Sequence, residues 1–408
     1  MLSWPGFETR VAWRFLREGR MQTLLIIVGV AAGVAVIAYI SALIGGLQSS
    51  TVAKTLGSQA HITLRALDDV VTPARPPEPG ATMLTQTQPR AQRLRSVANW
   101  QALVPLLEQW PGIATVSPMV SGAGLALRGE ATQAIALMGV DLDRYDRIVG
   151  LRGKVVSGVA RLAPGEAIVG RELAADLGVR AGDRLTVNTG NVSDSVSVTA
   201  LVDLGVKDLN RRTVIVPLRA AQNLLGLPGG ATELDLQVPD VWAAEAIARQ
   251  LAAQFPFKVE SWQESNAQLV SALNAQSVST AVIRGVVLVV VVLGIASVLV
   301  VSVVQKRREI GILRAVGATR GQVLRIFLLQ GAIVGALGSV LGVLLAVGLI
   351  NAFTTLVRGA DGLPLFSITL SAGLALQIAG IATLCGVLAA VAPARRAANL
   401  DPAQAIRL

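Results

Sequence analysis

Residues 23–47 read TLLIIVGVAAGVAVIAYISALIGGL, twenty-five positions without one charged side chain. At 1.5 Å per helical residue, that is about the length needed to cross a ~30 Å hydrocarbon layer. The run is longer than the apolar core of a signal peptide, and Gly45-Gly46-Leu47-Gln48 makes a poor small-x-small cleavage site. It therefore reads as an uncleaved membrane anchor. Further uncharged runs follow at 285–304, 326–350 and 367–391. Lipid offers backbone polar groups no partners, so each run is expected to be helical even where Val-rich sequence favours strand in water. The expected fold class is a membrane protein with four transmembrane α-helices and a large extracytoplasmic α+β domain inserted between helices 1 and 2.

Composition agrees with this division. A chain of 408 residues that is 52% hydrophobic and 15% charged is too apolar to be wholly soluble and too charged to be wholly embedded. Its net charge of +10 is concentrated at the edges of the spans. Residues 1–22 hold four Arg against two Glu, 305–325 six Lys/Arg against one Glu, and 393–408 three Arg against one Asp, while 46–283 carries 21 basic and 21 acidic residues. That placement excludes a nucleic-acid surface and marks three segments that share the cytoplasmic side, with both termini inside. The turn at 351–366, with Arg358 its one basic residue and Asp361-Gly362 and Pro364 as turn signals, faces outward. One cysteine (Cys385) and one histidine (His61) exclude an internal disulfide and a His/Cys metal cluster within the chain.

The boundaries read from these patterns are 1–22 for a cytoplasmic amphipathic helix, 23–47 for the first span and 48–261 for the extracytoplasmic domain. A stalk continuous with the second span follows at 262–304, then a cytoplasmic segment at 305–325. The third span is 326–350, the outer turn 351–366, the fourth span 367–391 and the cytoplasmic tail 392–408. Trp4, Phe7, Val11 and Phe15 recur at helical spacing, with Arg10, Arg14 and Arg17 between them, as in a helix that lies on the inner leaflet. Ser261 and Glu264 form a capping-box pattern, so a helix running from Trp262 to Val304 would be about 64 Å long and stand out of the bilayer as a stalk, unless it breaks near Gly285. In the third span, Gly331, Gly335, Gly338 and Gly342 recur at spacings of four and three, near one helix face.

Within the outer domain, short β-rich runs alternate with short helical ones, the pattern of an α+β domain that two lobes would accommodate. Ala167-Ile168-Val169 reads as a strand, 171–177 as a helix stopped by Gly178, and 183–187 as a strand; 213–217 and 234–238 are further strands and 241–254 a helix. Residues 72–89, rich in Pro, Thr and Gln, read as an exposed loop. His61 lies in a strand-like run, so a Ser-His-Asp or Cys-His catalytic site has no histidine to use. There is no Gly-x-x-x-x-Gly-Lys-Ser/Thr phosphate loop: the one Gly-Lys pair, Gly153-Lys154, is followed by Val155 and has Ile148 where the first glycine belongs. The cores of the spans hold no Asp, Glu, Lys or His, which argues against an ion-coupled carrier. Any work on a substrate must then be driven by an external motor.

The segment suited to receive such a motor is 305–325. Lys306, Arg307 and Arg308 end the second span as positive-inside anchors, and 309–316 reads as a short amphipathic helix with Ile310 and Leu313 on one side, stopped by Gly317. A plain connecting loop has no need of Ile-Gly-Ile-Leu, whereas a helix docking in a partner's groove does.

Here the sequence resembles a known family. KRREIGILRAVGAT at 306–319, FLLQG at 327–331, the glycine-rich third span and PARRAANLDP at 393–402 look like the permeases of the FtsX-like ABC transporter superfamily. Among these the transmembrane subunits of the lipoprotein-releasing system are the most similar, and the macrolide-efflux permeases follow. The resemblance implies a bacterial inner-membrane permease, not itself an enzyme, that pairs with a second copy or paralogue and with a separate ABC ATPase. ATP and Mg2+ would be bound by that ATPase and no cofactor by the chain itself. Residues Glu309, Ile310, Gly311, Leu313, Arg314, Gly317 and Ala318 would match the helix that couples the two, and a periplasmic carrier or adaptor would be a further partner. ATP-driven closure would move the stalks and outer domains and push a lipoprotein or other amphiphile out of the membrane. Signalling to a periplasmic partner and an enzyme housed in the outer domain are the alternative classes.

Overall fold

A computed structural model describes residues 6–57, 59–68, 94–190, 192–358 and 368–400. They fall into two compact units, Met1–Thr51 with Ser271–Leu408, and Val52–Val270. The Pro-rich stretch, Trp4 and the turn signals at 361–364 lie outside the described residues.

The chain begins with α1 (Phe7–Glu18), interrupted at Gly19 before α2 (Arg20–Leu56), whose uncharged stretch is the first span. Then comes the outer domain. Its strands are β1 (Ile62–Arg65), β2 (Thr115–Arg128), β3 (Ala131–Val140), β4 (Val155–Gly158), β5 (Glu166–Gly170), β6 (Arg184–Asn188), β7 (Ser193–Val202), β8 (Thr213–Pro217), β9 (Glu233–Gln237) and β10 (Lys258–Ser261). Between them lie α3 (Trp100–Glu108), α4 (Leu142–Val149), α5 (Arg171–Leu177), α6 (Lys207–Arg212), α7 (Leu218–Leu224), α8 (Ala244–Gln254) and the single turn α9 (Trp262–Ser265). The strands join in one hydrogen-bonded sheet in the order β10-β1-β9-β2-β3-β8-β5-β7-β4, with β6 bridging β2 and β7.

Alternation along the strands divides the buried residues between two faces. Val169 and Val214 join Leu137, Leu173 and Leu185 in one core, while their neighbours Ile168 and Ile215 join Met119, Tyr145 and Leu151 in the other. The longest ladder is the β2–β3 hairpin, paired from Met119↔Val140 to Arg128↔Ala131 and closed through Gly129, whose φ of 60° suits a two-residue turn. His61 is buried at the entrance to β1, with Nδ1 2.9 Å from the Val238 carbonyl oxygen. Burial holds its pKa below the ordinary histidine value, and this main-chain contact only partly opposes the shift. Its surroundings are those of a strand-anchoring residue. Asp141 caps α4, its Oδ1 accepting from the main-chain N–H of Asp143 and Arg144. Asp141→Ala is expected to cost about 1 kcal/mol, seen as a fall of about 2–4 °C in the unfolding temperature of the outer domain.

The remaining helices are α10 (Ala267–Gln305), α11 (Arg307–Ala315), α12 (Arg320–Leu356) and α13 (Ala372–Ala398). With α2, the helices α10, α12 and α13 make four among the described residues that are long and apolar enough to cross a bilayer. The unbroken helix expected from Trp262 is corrected. Ser261 caps only α9, because Asn266 leaves helical space at φ −116°, ψ 40°, its side-chain amide donating to the Trp262 carbonyl. Gly285 lies inside an uninterrupted α10, which at 39 residues is about 58 Å long.

The glycines of the third span serve two neighbours and not one. A Cβ at Gly335 would lie 3.0 Å from Thr383 Cα of α13, and one at Gly331 would meet the Gly386 carbonyl and Ala390. A Cβ at Gly338 or Gly342 would instead strike α2, 2.6 Å from Val30 Cγ1 and 2.7 Å from the Ala31 carbonyl oxygen respectively. Bare backbone at these four positions lets α12 sit between α13 and α2 at a separation no side chain would allow.

Candidate functional site

The sequence places its candidate residues at the turn between the second and third spans, and the structure gives that turn a defined shape. α11 ends in a Schellman motif: Gly317 N–H donates to the Arg314 carbonyl and Ala318 N–H to the Leu313 carbonyl, with Gly317 at φ 107°. Only glycine enters that region without steric cost. Immediately beyond, Thr319 and Gln322 form a reciprocal capping box that starts α12. Two helix ends are thus closed within three residues, and Val316 and Gly317 stand exposed between them.

The apolar side expected to face a partner is already occupied. Ile310 is 1% exposed and packs with Ala12, Phe15, Val323, Phe327 and Ala394, with Leu313 half-buried against the same cluster. Gly311 is buried beside Ile310. The side left open carries Arg308, Ile312 and Val316, the last two 49% and 79% exposed at i, i+4 spacing. Large apolar side chains held out beside a capped turn were missed in the sequence because Ile310 and Ile312 look alike there. Only the burial of one face separates them.

The charged residues also take roles other than those read from the sequence. Lys306 is not a free membrane anchor: its ammonium donates to Glu18 Oε2 at 2.5 Å and Glu309 Oε1 at 2.7 Å and lies 5.5 Å from the centre of the Phe15 ring. Glu309 therefore helps hold Lys306, which ties α1 to the junction of α10 and α11. Arg314 donates to the carbonyl oxygens of Ala398 and Leu400 at 2.9 and 2.6 Å, closing the end of α13 onto α11. The apolar side of α1 does not simply face lipid, because Ala12 and Phe15 are buried against α12 and the rings of Phe15 and Phe327 are 6.4 Å apart. Of the candidate residues, Ile310, Gly311, Leu313 and Arg314 build the turn's support and Gly317 and Ala318 its tip.

Among the described residues, no group of three His, Cys, Asp or Glu side chains is arranged to hold a metal ion. Four candidate spans with an α+β domain between the first and second are the layout of one class of ABC transporter permease, and comparison with known proteins places the chain within it. Residues 23–254 match the MacB-like periplasmic core domain and 281–402 match the FtsX-like permease C-terminal family. The chain belongs to the FtsX-like permeases of ABC transporters that carry a MacB-like periplasmic core. It is 26% identical to the lipoprotein-releasing system transmembrane protein LolC of Xylella fastidiosa over 97% of this chain and 98% of that protein. It is 24% identical to the transmembrane protein LolE of the same system in Haemophilus influenzae, over 97% and 98%. To the macrolide export ATP-binding/permease protein MacB 2 of Aeromonas hydrophila it is 25% identical over 97% of this chain and 60% of that protein.

Proposed function

We propose that this chain is the membrane subunit of an inner-membrane exporter that extrudes lipoproteins or similar amphiphiles, with ATP and Mg2+ bound by a separate ABC ATPase. The single observation that carries the reading is end-to-end similarity to two lipoprotein-releasing transmembrane proteins, each matched over nearly its whole length. The chain's own features support it. It lacks a phosphate loop, and the turn at residues 316–318 is rigidly capped and exposed, as a surface that receives force must be. In this reading the exposed face of α11 docks on the ATPase, the basic edges of the spans face the cytoplasm together with both termini, and two permease chains assemble with two ATPases. Closure of the ATPases then moves the outer domains, and a periplasmic carrier receives the cargo.

A macrolide-type efflux permease is the second reading, favoured by the match to the MacB-like core over 23–254. Co-purification tests the shared part: tagged chain from its native membrane is expected to bring down an ABC ATPase at low salt. Reconstituted into proteoliposomes with that ATPase, it is expected to release a lipidated substrate to a soluble acceptor only when ATP is hydrolysed. A chain that never captures an ATPase is not such a permease, and one that exports a macrolide but no lipoprotein belongs to the second reading.

A further inference from the structure

The outer domain holds a cavity of about 480 Å³ that neither the turn nor the proposed export reaction uses. It lies on one face of the sheet, where β10, β1, β9 and β2 place Glu260, Thr63, Asp235 and Ser117 in one row across four paired strands. The next row sets Lys258, Arg65, Glu233 and Met119 side by side. Met119, Met138, Tyr145, Leu204, Leu209 and Trp262 give the cavity apolar walls. A volume in the small-molecule range, with apolar walls and a few convergent polar groups, is the usual form of a binding pocket.

Its charges do not balance. Arg65 bonds Glu233 at 2.5 Å, and Lys258 lies 3.1 Å from Glu260. Among the described residues Asp235, in the middle of the first row and only 4% exposed, has no such cation, and its Oδ1 is buried without a hydrogen-bond partner. The hydroxyl of Ser117, directly across from it, is likewise buried and unpartnered. A buried polar atom left unpaired is costly, and Asp235, which lines the cavity with Ser117 behind it in the same row, points to a group that the cavity is built to receive. A cation carrying N–H donors would both satisfy the free oxygen and offset the carboxylate left over once Arg65 and Lys258 are paired.

We propose that this cavity is a binding site for a small organic ammonium ion, its nitrogen donating to Asp235 and its apolar body lying along Tyr145, Trp262 and the methionines. Charge logic gives the site a pH signature. With no ligand, burial first and the neighbouring Glu233 second hold the Asp235 carboxyl well above the usual range, while Arg65 opposes this. Glu260 and Lys258 on β10, Arg65 on β1, Glu233 on β9 and Tyr145 on α4 are the other titratable groups facing it. An ammonium pairs with the ionised carboxylate, so binding below the raised pKa must expel a proton. Affinity accordingly rises with pH until free Asp235 is itself ionised.

The test is calorimetric titration of the full chain in lipid nanodiscs, with empty discs subtracted, using 2-phenylethylammonium, the neutral 2-phenylethanol and the anionic 3-phenylpropanoate. One saturable site for the ammonium is expected, about tenfold or more tighter than for the alcohol, as befits a charge-assisted bond over a neutral one, and no binding of the anion. Binding heats in buffers of different ionisation enthalpy are expected to report net proton release that grows as the pH is lowered. Asp235→Asn is expected to abolish the preference for ammonium over alcohol without lowering the unfolding temperature, since an amide of the same shape replaces a buried carboxyl oxygen that has no hydrogen-bond partner among the described residues. Equal affinity for the alcohol, absence of proton release, or no saturable binding at 10 mM probe overturns the proposal, and so does an Asp235→Asn variant that binds as the parent does. The first three readings are made on the unmodified chain, so the proposal stays falsifiable even if the variant misfolds. Export activity is not a readout, so failure here leaves the permease reading untouched.

Discussion

Replacing Gly331 by leucine is expected to destroy the folded membrane bundle, whereas the same replacement at Gly348 is expected to leave it intact. The two glycines lie in one helix and are equivalent by composition. Gly331 is buried where α12 meets α13, and any Cβ there falls on the Gly386 main-chain oxygen and 2.7 Å from Ala390 Cβ. The nearest relief is a backbone shift, because Gly386 has no side chain to move aside and a Cβ built on it lies 2.6 Å from the Gly331 oxygen. Overpacking a well-filled core costs about 1–3 kcal/mol, and a full leucine against backbone belongs at or above the top of that range. Gly348 has no atom within 4 Å of its would-be Cβ, so Gly348→Leu should stay within about 0.5 kcal/mol of the parent. Gel filtration and thermal unfolding of the detergent-solubilised chain check both: an aggregated Gly331→Leu beside a monodisperse Gly348→Leu is the expected pair. Gly342→Leu should fail as Gly331→Leu does, though through Ala31 and Val34 of α2. A monodisperse Gly331→Leu variant with an unchanged unfolding temperature would remove close helix approach from the account of this bundle.

Much of the fold is legible in the sequence, because hydropathy and charge act locally. The four uncharged runs and the positive edges need no tertiary information, and neither do the strand at 213–217 or the helix at 171–177 with its glycine stop, which β8, α5 and Gly178 match. What escapes is whatever depends on a neighbour far along the chain. The β2–β3 hairpin is unreadable because Gly122, Gly124 and several alanines blunt its alternation, and its register rests on pairing with β9 and β8. The break at Asn266 is hidden because a capping box signals where a helix starts and says nothing about where it ends. Two polar rows across the sheet are invisible as well, since Glu260, Thr63, Asp235 and Ser117 come from four strands scattered along the outer domain.

The candidate turn shows the same division, and it decides which substitution tests coupling. Amphipathic periodicity marks α11 as having an apolar side but does not tell whether that side is covered by the chain or by a partner. Ile310 and Leu313 are covered by α1, α12 and α13, so a charge at Leu313 injures the fold first and says little about docking. Ile312 and Val316 hold their apolar surface in the open, and aspartate at either costs the isolated chain little, because surface changes away from packed groups stay within about 0.5 kcal/mol. In a complex, loss of an apolar anchor at an interface centre costs about 2 kcal/mol or more, or roughly thirtyfold in affinity, and a charge buried in its place costs further. Ile312→Asp and Val316→Asp together are therefore expected to leave the unfolding temperature of the chain unchanged, weaken ATPase capture by more than about thirtyfold, and reduce substrate release at saturating ATP. Pull-down titration and release from proteoliposomes measure the two losses separately. Should the double variant capture the ATPase and release substrate at the parent rates, the open face of α11 is not where force enters, and the basic edge around Arg307, Arg308 and Arg320 becomes the surface to test in its place.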